Sequence, residues 1–125
     1  MFPPVFTLAF ASSAVKALIG TGTETNPFRL YPHGTAPQGV KRPYATYQNI
    51  TGSPENYLGT LPDADSYTVQ VDIFGVSVDS VRAVALALRD AYEPSAHIVR
   101  WGTESKDAAT GNSRFHFDVS LITLR

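Results

Sequence analysis

Residues 66–92, SYTVQVDIFGVSVDSVRAVALALRDAY, decide the fold. At their start Tyr67, Val69, Val71 and Ile73 alternate with Ser66, Thr68, Gln70 and Asp72. A period of two puts the apolar set on one side of a pleated strand and predicts a half-buried strand over Ser66–Phe74. Gly75 breaks the rhythm. Ser77 then stands where a helix N-cap accepts a backbone N–H, with Asp79 in the first turn, where the helix dipole favours negative charge. Val81, Val84, Ala85 and Leu88 follow at i, i+3, i+4 and i+7, so the period switches to that of an amphipathic helix, with Arg82 and Arg89 off the stripe. Pro94 ends this helix near Tyr92. The chain here hands a half-buried strand to a helix whose apolar stripe needs a sheet to cover it.

Toward the C-terminus, Ile98–Trp101 reads as a short strand. The loop TESKDAATGNS turns at Gly111–Asn112. The last strand, Arg114–Leu124, alternates Phe115, Phe117, Val119 and Leu121 against Arg114, His116, Asp118 and Ser120, so the two strands suit a β-hairpin. Toward the N-terminus, a helix is expected over Pro4–Ile19. Proline is tolerated in a first turn, Val5, Leu8, Ala11, Val15, Leu18 and Ile19 form one face, and Gly20 is a stop. No basic region precedes this stretch, and Pro3, Pro4 and Lys16 interrupt it, so it reads as a helix and not as a signal peptide. Between the ends lie two more strand candidates, Phe28–Tyr31 and Pro43–Thr51. In the second, Tyr44, Thr46, Gln48 and Ile50 share one face, and Ala45, Tyr47 and Asn49 the other.

The expected architecture is α+β. It is a two-layer sandwich of a mostly antiparallel sheet with two main amphipathic helices on one face, within a single domain spanning 1–125. The strands' polar faces leave the other side of the sheet to water or to a partner. A chain of 125 residues, 43% hydrophobic and 17% charged, is that of a folded protein with one modest core. Its net charge of -1 supplies no general attraction to nucleic acid or to an anionic membrane. No segment approaches the ~20 apolar residues of a spanning helix. With no cysteine there are no disulfides, thiolate metal sites or cysteine nucleophiles.

Chemistry-bearing constellations are weak. His33, His97 and His116 do not pair at i, i+4, and no cysteine supports them as metal ligands. No GxSxG elbow occurs, and a set drawn from Ser53, His33 or His97, and Asp63 or Asp65 is a selection any chain of this length permits. Glu55, Asp63 and Asp65 lack the spacing of a calcium loop. Lys41, Arg42, Tyr44 and Tyr47 mix basic and aromatic groups as base-stacking surfaces do, yet Tyr44 and Tyr47 differ in parity and face opposite ways. The expectation is no enzymatic activity, no cofactor and no metal.

The remaining signal lies in Arg29–Leu61, RLYPHGTAPQGVKRPYATYQNITGSPENYLGTL, which is rich in proline, glycine and tyrosine. Its prolines exclude a helix, and its tyrosines bring large amphipathic contact surfaces. Tyr57 and Leu58 stand in a loop, where apolar exposure is costly unless a partner covers it. The candidate assembly contacts are Arg42, Tyr44, Tyr57, Leu58, Leu61 and Trp101, with the 103–113 loop as a second contact region.

RLYPHGTAPQGVKRPYATYQ, then SPENYLG, then the SYTVQVDIFG strand running into VDSVRAVALALRDAY, resembles the small tail completion, or tail terminator, proteins of long-tailed phages. The resemblance runs from Pro3 to the closing strand. It implies an α+β sandwich and a structural role without catalysis. Such proteins form a hexameric ring on the head-proximal end of the tail tube, stop its growth and present a joining surface. The implied partners are copies of the chain itself, the tail tube protein and the head–tail connector proteins. DNA passes through the lumen without specific binding, and no membrane takes part. The implied location is the virion neck or tail, after assembly in the bacterial cytoplasm. The alternative within this resemblance is a head-side connector, a stopper or adaptor of the neck. A weakly acidic chain suits a DNA channel, which should not grip phosphates.

Overall fold

The computed structural model describes residues 4–54, 64–108 and 110–124. Its elements are α1 (Val5–Phe10), α2 (Ser13–Ile19), β1 (Leu30–Pro32), β2 (Tyr44–Pro54), β3 (Ala64–Gly75), α3 (Val78–Tyr92), β4 (His97–Trp101), β5 (Ser105–Lys106) and β6 (Ser113–Leu124). The sheet runs β1-β2-β3-β6-β4, with β5 also on β6. Among the described residues only β1 and β2 pair in parallel; the other ladders are antiparallel. The α+β sandwich expected from the alternation is the fold observed.

The decisive stretch folds as its spacing predicts. β3 is the sheet's middle strand, and Val69, Val71 and Ile73 face Val119, Phe117 and Phe115 of β6. All but Phe115 are fully buried, each contributing roughly 1.5–3 kcal/mol by leaving water. α3 begins after Ser77, whose Oγ accepts from Ser80 N at 3.2 Å, and buries Val81, Val84, Ala85, Ala87, Leu88 and Tyr92. It packs on β3, β4 and β6, while α1 and α2 pack against it.

The single helix expected over Pro4–Ile19 is two helices. Ser12 takes an extended conformation (φ -92°, ψ 120°), and its hydroxyl accepts from Val15 N at 3.3 Å. The serine side chain outcompetes the helical backbone bond there and starts a second helix, a choice apolar periodicity does not register. Val5 and Ala9 from α1, and Val15 and Ile19 from α2, are all buried.

Arg29 joins the N-terminal helices to the sheet although it is only 4% exposed. Its Nε donates to Pro43 O (2.9 Å), one terminal nitrogen to Asn26 Oδ1 (3.1 Å) and the other to Leu18 O (3.2 Å). A buried guanidinium needs its donors satisfied, and neutral oxygens supply that here. Gly20 makes room for the same junction: at φ 116°, an added Cβ would collide with the Pro27 carbonyl.

Candidate assembly surface

The two faces of the sheet differ in chemistry because strand residues alternate. On the face away from the core, Tyr44 stacks on Phe74 at 4.9 Å and the Arg114 guanidinium lies over Phe74 at 5.5 Å. Beside them Asp72, 4% exposed, accepts from Gln70 Nε2 at 3.1 Å and pairs with Arg114 at 3.4 Å. Asp118 sits in the next register with Gln70 on one side and Arg100 on the other. It is buried, and its Oδ1 has no hydrogen-bond partner among the described residues.

On the core face, the edge of the sandwich is unfinished. α3 and the β4 edge diverge around a groove of about 330 Å³ lined by Arg82, Ala85, Leu86, Arg89, Trp101, Glu104 and Phe115. Trp101 pairs with Phe117 across the ladder and stacks on Phe115 at 5.9 Å, yet it is 47% exposed. Leu86 on the facing helix is 50% exposed. Around this apolar floor Arg82 is bridged to Glu104 at 3.0 Å, and Arg89 to Asp90 at 3.0 Å. These are solvent-facing pairs of the kind that contribute little stability. β4 is the last strand of the sheet, bulged between Ile98 and Arg100, and among the described residues no strand pairs with its outer edge.

The sequence-derived contacts separate. Trp101 forms the groove. Tyr44 lies on the opposite sheet face, as its parity against Tyr47 requires: Tyr44 pairs with Phe74, and Tyr47 with core residue Val71. Burial raises the Tyr44 phenol above its ordinary pKa, partly opposed by Arg42. Arg42 hydrogen-bonds Asn112 Oδ1, tying the segment before β2 to the turn before β6. Tyr57, Leu58 and Leu61 lie outside the described residues. Leu86 was missed because it stands off the apolar stripe of α3; a large aliphatic residue on a helix's polar face was the available signal.

The histidines do not converge. His33 follows β1 and His97 opens β4, at opposite edges of the sheet, and His116 sits in β6 against Gly102. Among the described residues no three His, Cys, Asp or Glu side chains are placed to hold a metal ion, and no helix is long and apolar enough to cross a membrane.

A family model described as tail completion protein gp17 matches residues 3–123. No match was found among curated proteins. Among solved structures, a chain of the virion of a native gene transfer agent particle superposes with a TM-score of 0.72 at 12% identity. The match covers 97% of this chain and 92% of that one.

Proposed function

The chain belongs to the tail completion protein gp17 family and is a structural protein of a virion tail; on that premise we propose that its copies close head-to-tail into a hexameric ring on the head-proximal end of the tail tube. The ring ends tube growth and offers its outer surface to the head-side connector. The tail tube protein and the connector are its further partners. DNA crosses the lumen without being gripped, since the net charge of -1 provides no excess of cations for phosphates. The role is mechanical, with one domain per subunit.

One observation carries this reading: Leu86 and Trp101, half exposed, line an apolar groove between α3 and the β4 edge. Such a groove costs free energy in water and repays it only when another surface covers it. A contact between unlike surfaces of identical subunits makes a ring when its rotation closes. The decisive experiment is an image of the assembled particle. A six-fold ring of this polypeptide at the head-proximal tube end is the expected result; density on the head side of the joint would transfer the role to a connector. Replacing Tyr57 and Leu58 together by serine is expected to give tails of irregular length by electron microscopy. Tails of normal length would remove those residues from the contact set.

A further inference from the structure

We propose that Arg100 and Asp118 form a latch across β4 and β6: the Arg100 guanidinium closes onto the unpartnered Oδ1 of Asp118 and locks the register of the edge strand that carries Trp101. The inference concerns a single subunit and does not rest on the ring reading.

Asp118 needs a charged donor. It is 7% exposed, and its Oδ1 has no hydrogen-bond partner among the described residues. A buried carboxylate left so is costly, and a guanidinium on it relieves the cost. The other groups around it are engaged or neutral. Gln70, opposite on β3, gives its Nε2 to both oxygens of Asp72, at 3.1 and 3.4 Å. Arg114, four residues away along β6, pairs with the same Asp72. His116 lies so close to Gly102 that a Cβ there would collide with its Nε2. Ser120 brings only a neutral hydroxyl. Arg100 is the donor left over. Arg29, Arg42, Arg82, Arg89 and Arg114 each donate to an oxygen, and among the described arginines only Arg100 donates to none.

The bulge in β4 sets these two groups opposite each other. His97 pairs with Ser120 and Ile98 with Val119. In an unbroken ladder Val99 would come next, against Asp118, and Arg100 would meet Phe117. The register shift leaves Val99 unpaired and 56% exposed, and places Arg100 against Asp118 and Trp101 against Phe117. One extra residue therefore exchanges a valine for a guanidinium beside a buried carboxylate, and turns the indole onto the core face, 5.5 Å from the Phe117 ring. Directly opposite residues have Cβ atoms about 4.5–5.5 Å apart, within the length of an arginine stem. Rotation about side-chain bonds closes the latch without moving the backbone. A slip of β4 by one residue would return Val99 to Asp118 and strand the charge, so the latch opposes that slip.

The test is a double-mutant cycle on the purified chain, unfolded in urea and followed by the fluorescence of Trp101, its only tryptophan. Asp118→Asn keeps the shape and removes the charge; Arg100→Met keeps the stem and removes the donors. With Arg100 in place, Asp118→Asn is expected to lower the folding equilibrium constant about tenfold. In the Arg100→Met background the same change is expected to raise it or leave it unchanged, because it then removes a buried charge that has no counter-ion. Equal effects in the two backgrounds would overturn the latch, as would a rise on Asp118→Asn with Arg100 present. Should Asp118→Asn fail to fold, Arg100→Met decides alone. A lower urea midpoint with easier quenching of Trp101 by acrylamide supports the latch; an unchanged midpoint, as for an exposed arginine that bonds nothing, overturns it. Neither result bears on the ring reading, which concerns contacts between subunits.

Discussion

Tyr92 shows how one residue couples distant parts of the chain. Its ring is fully buried against Phe117 at 6.4 Å, and its hydroxyl donates to Val5 O at 3.1 Å, joining the end of α3 to the start of α1. Burial pushes its pKa far above the ordinary tyrosine value. The folded state therefore holds a proton that the unfolded chain releases above about pH 10, so stability is full below that pH and declines as pH rises beyond it. Tyr92→Phe is expected to cost about 0.5–1.5 kcal/mol at neutral pH, from the lost hydrogen bond. It should also flatten the alkaline decline, as read from urea midpoints at a series of pH values. An unchanged alkaline slope would show that the ring is accessible to base in the folded state. Tyr92 was legible as the end of a helix, but its bond to Val5 was not, because those residues are 87 positions apart.

At the scale of elements, α3 supplies six buried residues and both the wall and the rim of the groove. Its start depends on Ser77, and an N-cap serine replaced by alanine costs about 1 kcal/mol. Ser77→Ala is therefore expected to lower the urea midpoint with an unchanged denaturant slope, while Ser80→Ala, inside the first turn, changes it less. Equal effects would mean that the Ser77 Oγ bond to Ser80 N contributes nothing. This helix was readable from residue spacing alone, and both its cap and its last residue lie where the pattern put them. The N-terminal helices were not, since the break at Ser12 is made by a side-chain hydrogen bond and not by any loss of apolar periodicity. The bulge in β2 between Asn49 and Thr51 was equally invisible; it leaves Ile50, 42% exposed, out of register.

For the whole molecule, stability and assembly separate. Leu86 is half exposed and makes little of the core, so Leu86→Glu is expected to shift unfolding by no more than about 0.5 kcal/mol, as surface substitutions do. On the ring reading, the same change puts a carboxylate into the groove and leaves tubes uncapped, visible as overlong tails by electron microscopy. A variant with normal stability and normal tails would show that the groove takes no part in assembly. Residue spacing was sufficient for the α+β class, the orientation of β3 and β6, the face of α3 and the opposed tyrosines of β2, because each depends on neighbours a few positions apart. The groove, the stapling of Arg29 and the unpartnered Oδ1 of Asp118 among the described residues came only from packing. The groove needs α3, β4 and β6 side by side, and the order β3-β6-β4, which no local period encodes, is what brings Trp101 opposite Leu86.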